Sequence, residues 1–238
     1  MLRQYSMVLF FSFLINFSAW ATSLELAKTP TFVDTNAISL ELIPPPPLTD
    51  SLEQKMDTTI LMWEQSRRTY YDTQRAWGSV TLDPSYFNEA LGARFEESRF
   101  PQLFNIMQTV LADTRLYVDA FKVHYKRPRP YQANPDIKPI IPVEESYSYP
   151  SGHGTRGMTA ALVLAELFPA RREALIKTGV TLGQDRVIGG VHYPSDIEAS
   201  VTLAQALAAS IVASDTFKTQ VKAAQDEINR ISLSQKSE

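Results

Sequence analysis

The residues best suited to chemistry fall between Lys122 and Asp196, a window that holds all three of the chain's histidines, His124, His153 and His192. One group is "SYPSGHGT", Ser148 to Thr155, a turn of small residues bearing an imidazole and placed just ahead of the apolar run "MTAALVLAELF". Gly152 lets the backbone approach a ligand closely. Ser151 adds a hydroxyl donor, and the free amides at the start of the following helix favour an anion. A second group, "KVHYKRPRP", offers Lys122 as a point charge and Arg129 as a planar fork of donors; a third, "DRVIGGVHYPSD", brings Arg186. Guanidinium forks match phosphate oxygens. Together these groups would surround a tetrahedral oxyanion and suit the charge that spreads over the oxygens in phosphoryl transfer.

His192 and Asp196 are four residues apart. Through a turn or helix start the carboxylate would reach one ring nitrogen, fix the tautomer and stabilise the imidazolium. The other nitrogen would then be free to attack phosphorus, with His153 supplying the leaving group's proton. Taken singly, each feature has a plainer reading. A lone histidine is more often a helix-end or surface residue, "KRPRP" a solvated basic loop, "PSGH" a turn and cap, and Asp196 a helix-start residue. His124 has no acid or glycine turn to use it and is left out of the site. The joint occurrence, in this order, favours the chemical reading.

Helices must position these groups. From Ser51 to about Ala76, Leu52, Met56, Ile60, Trp63 and Tyr70 fall at helical steps and predict one apolar face packed in the core, with Thr49 or Asp50 as cap. "DPSYFNEAL" opens a second helix with Asp83 as cap. "PQLFNIMQTVLADTRLYVDAFKVHY" is a third, with Pro101 where proline is tolerated and Leu103, Met107, Val110, Leu111, Val118 and Phe121 inward. A fourth runs from about Gly154 to Phe168, a fifth lies in "RREALIKTGVTLGQDRVI", and "SDIEASVTLAQALAASIVAS" and "TFKTQVKAAQDEINRI" follow. Period-two strand patterns are scarce. The expectation is an all-α, single-domain helical bundle with its site at helix ends.

Ahead of it, residues 22–48 read as an extended arm ending in "IPPPPL", a stiff polyproline segment best explained as a spacer. The first 21 residues read as an export signal: Arg3, the apolar core "MVLFFSFLINF", and Ala19-x-Ala21 before the cut. Residues 49–238 are then the helical domain. With the signal removed, 22 basic and 26 acidic residues remain, a mild acidic balance that argues against a general nucleic-acid or membrane-surface binder. There is no cysteine, so the core must hold without disulfides, and the length suffices for that.

The order Lys122, six residues, Arg129-Pro130; then Pro150-Ser151-Gly152-His153; then Arg186, five residues, His192, three residues, Asp196 resembles the tripartite signature of the type 2 phosphatidic acid phosphatase superfamily, which includes vanadium-dependent haloperoxidases. "LIPPPPL", "YPSGH", "ALVLAELFP" and "DRVIGGVHYPSD" are similar to the class A bacterial non-specific acid phosphatases. The resemblance implies an exported, periplasmic phosphomonoesterase of all-helical fold, with no metal or other cofactor. It implies phosphate held by Lys122, Arg129, Ser151, Gly152, His153 and Arg186, His153 as acid, His192 as nucleophile forming a phosphohistidine, and Asp196 orienting it. The implied partners are small soluble phosphomonoesters, with no stable membrane association; a homo-oligomer is left open. Asp185 departs from the pattern, which carries serine before this arginine, and would either repel substrate or hold Arg186. Two other readings compete: vanadate-dependent halide oxidation in the same pocket, and an exported phosphate binder without turnover.

Overall fold

The elements start where the sequence supplies caps. In the computed structural model, which describes residues 24–234, all regular structure is helical. The Ser51 side chain accepts the Gln54 N–H to open α1 (Leu52–Arg67), so the cap is Ser51 and not Thr49 or Asp50. The chain leaves helical geometry at Arg68, and Thr69 with Asp72 forms a reciprocal capping box that opens α2 (Tyr70–Gly78). The single helix expected over this stretch is therefore two. Asp83 accepts the Ser85 N–H to open a 3₁₀ turn, Pro84–Phe87, which runs into α3 (Asn88–Leu91) and stops at Gly92, φ 62°.

Next come α4 (Pro101–Tyr125), the short α5 (Pro130–Ala133), α6 (Gly152–Leu167), α7 (Arg172–Ile188), α8 (Pro194–Ala213), α9 (Asp215–Ala223) and α10 (Gln225–Ser234). The last two replace the one C-terminal helix expected. The inward face expected of α4 is buried in full.

α6 is the central element, packed against α4, α7 and α8. Its buried residues include Gly157, Met158, Ala160, Ala161, Val163 and Leu164 and lie on nearly every side of the helix. Small residues set the spacing to α7: a Cβ at Gly157 would lie 2.5 Å from Leu182 Cδ1, and one at Gly179 would lie 2.9 Å from Ala161 Cβ. Among the described residues, α8 alone has the length and composition to cross a bilayer; in this fold Leu203, Ala204, Leu207 and Ile211 are buried.

The N-terminal part packs onto the core, and one expectation about the helices after it is corrected. Residues 24–43 form a strap built into the core: Phe32, Val33, Ile38, Leu40 and Ile43 are buried, and the Asp113 carboxylate accepts the Thr31 and Phe32 N–H groups at 2.8 and 2.6 Å. The apolar stripe of α1 and α2 faces outward. Leu52, Trp63 and Tyr70 are 69%, 55% and 79% exposed, while Asp57 and Leu61 are buried instead. The physical reason is electrostatic. Asp57 turns inward to pair with a buried arginine, and that fixes the rotation of the helix. The first 21 residues, read as an export signal, lie outside the described residues.

Candidate active site

Five helix ends meet at the site. Lys122 sits in the last turn of α4, Arg129 just before α5, and Ser151, Gly152 and His153 at the start of α6. Arg186 closes α7, His192 lies on the connection to α8, and Asp196 is in the first turn of α8. The two loops are tied directly, since the Ser151 N–H donates to the Asp196 carbonyl at 3.1 Å. Every sequence-expected site residue is thus brought into one cluster. His124, left out, is on the exposed side of α4, stacked edge-on against Tyr125.

His192 is buried between a carboxylate and a guanidinium. Its Nδ1 lies 3.2 Å from Asp196 Oδ2 and its Nε2 lies 2.8 Å from Arg129 Nη1. A guanidinium only donates, so Nε2 must hold a lone pair and the neutral ring carries its proton on Nδ1, toward Asp196. Burial, then the charges of Arg129 and Lys122, hold the His192 pKa well below its ordinary value. The ring therefore stays neutral in mild acid, with the Nε2 lone pair facing the cationic side of the site.

Asp196 is saturated. Oδ2 accepts from Ser148 Oγ at 2.5 Å and the Tyr193 N–H at 2.9 Å in addition to His192, and Oδ1 accepts from Arg127 Nη1 at 2.5 Å. Arg127 was not singled out in the sequence. It stacks over the Tyr193 ring at 4.0 Å, and its other nitrogen donates to Gln54 and to Asp57 Oδ2, both at 2.7 Å. Asp57 in turn accepts the Ser195 N–H at 3.1 Å and the Ser195 hydroxyl. "KRPRP" is therefore no solvated loop: Arg127 and Arg129 are both buried, and only Lys126 among its charges points outward.

Arg129 is fully buried, with Nε on the Ser146 carbonyl at 2.8 Å and Nη1 on the Val191 carbonyl at 2.9 Å. Lys122 Nζ donates to Ser146 Oγ at 3.1 Å; burial, then the Arg129 charge, bring its pKa down to about 8, so it stays a cation in acid. Arg186 donates to the Ala76 carbonyl at 2.9 Å and to Ser79 Oγ, but its buried Nε has no partner. A buried donor without an acceptor is costly. Beside the Arg129 charge it is free to donate to an anion's oxygen.

The Ser151 hydroxyl accepts the Gly154 N–H at 3.2 Å and retains its own proton to donate. A Cβ at Gly152 would meet only Val118 Cγ1 at 3.6 Å and Lys122 Nζ at 3.9 Å, so the fold itself tolerates a side chain there. The space it would fill is the space in front of the lysine.

His153 Nε2 lies 3.0 Å from the Val80 carbonyl, so this nitrogen carries the proton of the neutral ring. Burial, then the nearby Arg186 charge, bring its pKa down to about 4.

The structure also decides what Asp185 does. Its Oδ1 accepts Arg75 Nε at 2.7 Å and its Oδ2 accepts Ser79 Oγ at 3.3 Å. The carboxylate is buried behind Arg186, and Ser79 links the two. It holds Arg186 indirectly. Its charge is matched by Arg75, which weakens any repulsion of an anion in the site.

Comparison with known proteins shows the family. Residues 103–220 match the family model described as the PAP2 superfamily. The chain is 30% identical over 205 residues to a non-specific acid phosphatase of Providencia stuartii, covering 81% of this chain and 82% of that protein. It is 28% identical to a non-specific acid phosphatase of Salmonella typhimurium, over 79% of this chain and 78% of that one. Among solved structures, the first bacterial vanadium-dependent iodoperoxidase superposes with a TM-score of 0.58 at 20% identity, over 72% of this chain and 52% of that one, a likeness of fold. The chain belongs to the PAP2 superfamily and, within it, to the class A non-specific acid phosphatases.

Proposed function

We propose that this phosphoric monoester hydrolase is an exported acid phosphatase acting on small soluble phosphomonoesters through a phosphohistidine at His192. The observation that carries the reading is the His192 ring itself: Nδ1 is bound to a saturated carboxylate, while Nε2 keeps a lone pair against Arg129 and within the field of Lys122.

In the first half-reaction Nε2 leaves its contact with Arg129 and bonds to phosphorus as the ester P–O bond breaks. Asp196 stabilises the positive charge that appears on the ring. Lys122, Arg129, Arg186, the Ser151 hydroxyl and the amides at the start of α6 take the three non-bridging oxygens. His153 gives its proton to the departing oxygen. Because the Val80 carbonyl already takes the Nε2 proton of the neutral ring, the transferred proton is the second one, acquired in acid. In the second half-reaction water attacks phosphorus, the P–N bond breaks, and neutral His153 accepts the water's proton. Phosphate and the resting enzyme result. No step requires a metal or other cofactor.

Two titrations support an acidic working range. His192 stays neutral in acid, and His153 becomes an acid only there. Export to the periplasm is proposed from the sequence pattern of residues 1–21.

Release of p-nitrophenol from p-nitrophenyl phosphate across acid to neutral pH, with chelator present, tests the reading with wild type and His192→Ala side by side. Turnover lost only in the variant supports it. A folded wild-type protein without turnover contradicts it.

A further inference from the structure

Arg129 has no donor to spare. An arginine carries five N–H donors, and here Nε goes to the Ser146 carbonyl, Nη1 to the Val191 carbonyl and to His192 Nε2, and Nη2 to Ser146 Oγ at 3.0 Å and to Glu144 Oε2 at 2.6 Å. Two of these partners, the Val191 carbonyl and His192, are buried, and two come from Ser146 on the exposed loop that also carries Glu144. The fifth, the Glu144 side chain, is 45% exposed and stands at the solvent edge.

We infer that Glu144 is a resident competitor for substrate: its carboxylate occupies the place of a phosphate oxygen on Arg129, and phosphate binds by displacing it. This rests on the reading of the cluster as a phosphate site.

The placement is built. The Tyr131 hydroxyl donates to the Glu144 carbonyl at 2.7 Å and accepts the Glu144 N–H at 3.2 Å, so one phenol fixes both backbone groups. Tyr131 itself packs against the small apolar clusters around Ile137 and Ile141. The Ser146 hydroxyl completes the arrangement, donating to Glu144 Oε2 at 3.1 Å while accepting from Lys122 and Arg129. The carboxylate thus has the neighbours a phosphate oxygen would have: a guanidinium, a hydroxyl, and an ammonium one atom further. Burial works against its charge, yet the Arg129 and Lys122 charges bring its pKa down to about 2. Acidification within the working range therefore does not discharge it, and only a competing anion takes it off Arg129. A phosphate dianion brings more charge and more oxygens, including one for the orphan Nε of Arg186, which Glu144 leaves unfilled.

The test compares wild type, Glu144→Gln and Glu145→Gln, the last removing the same charge one residue along on an exposed side chain. Calorimetry gives the Kd of inorganic phosphate, and p-nitrophenyl phosphate gives KM and kcat. Loss of one charge-assisted contact predicts a fall of roughly tenfold in Kd and KM for Glu144→Gln, with kcat within about twofold and Glu145→Gln like wild type. Tyr131→Phe, which frees the Glu144 backbone without altering any charge, should lower Kd in the same direction by less. An unchanged or raised Kd in Glu144→Gln overturns the inference. Absence of turnover in wild type would fail the phosphatase reading alone, because phosphate binding still decides the role of Glu144.

Discussion

Arg127 Nη1 lies 2.5 Å from Asp196 Oδ1, and both side chains are buried. This pair joins the loop after α4 to the first turn of α8, and through Asp57 it also recruits α1. The orienting carboxylate of His192 is therefore held from three directions in the sequence.

Removing Arg127 leaves Asp57 and Asp196 buried beside each other without their cation. Breaking a buried ion pair by deleting one partner costs about 3–5 kcal/mol. Arg127→Ala should lose stability of that order in chemical denaturation and, where still folded, most of its kcat. Arg127→Lys should recover only part, since a lysine cannot serve Gln54, Asp57 and Asp196 with one planar fork.

Asp196→Asn should keep the fold and lose about ten-thousandfold in kcat. An amide still bonds the ring but no longer stabilises the imidazolium or enforces the proton on Nδ1; a buried aspartate holding a catalytic histidine sets the scale of the effect. KM should change little, because Asp196 does not face substrate. A kcat within tenfold of wild type would contradict the assigned role.

His153 predicts a dependence on leaving group and pH together. Its protonated form exists below about 4 in the free site, and kcat/KM reports free-enzyme ionisations. With alkyl phosphates, whose leaving oxygen needs a proton, kcat/KM corrected for substrate ionisation should fall as pH rises above about 4. With p-nitrophenyl phosphate the fall should be shallower. His153→Ala should abolish the difference between the two substrates.

The buried imidazoles also shape stability. Burial lowers the pKa of His153 and His192 in the folded protein, so the unfolded chain binds more protons below its ordinary histidine pKa. Stability then rises with pH through that range and falls as pH drops below about 6.5. Thermal unfolding between pH 6.5 and 4 should show a falling Tm, and His153→Ala should flatten the slope.

The sequence was legible where chemistry and packing use short, ordered patterns. The face of α4 from Leu103 to Phe121 could be read from its spacing because every apolar position on it is buried. The eight residues expected at the site lie in three short segments, and the fold gathers them at the ends of α4, α5, α6, α7 and α8. Other features were set by distant partners. The period of α1 identified a helix but not its rotation, since Asp57 pairs with Arg127 some seventy residues away and turns Leu52, Met56 and Trp63 outward. Arg127 itself looked like one more charge in a basic loop. Glu144 and Ser146 are ordinary loop residues by type, and only the fold brings them onto Arg129 and Lys122.

That rotation has its own consequence. Leu52→Ser and Met56→Ser should each alter stability by no more than about 0.5 kcal/mol. Leu61→Ala, at a buried site on the same helix, should cost about 2–5 kcal/mol. Denaturation midpoints of the three variants would check the orientation of α1.

The central claim is the covalent bond to His192, and the most direct measurement traps it. Enzyme mixed with phosphorus-labelled p-nitrophenyl phosphate and quenched in alkali within a turnover should carry label that is stable to base and lost in acid, on the peptide containing His192. Label on that peptide, absent in His192→Ala, is the predicted result. Rapid turnover with no label on protein, or label retained by His192→Ala, would contradict the account.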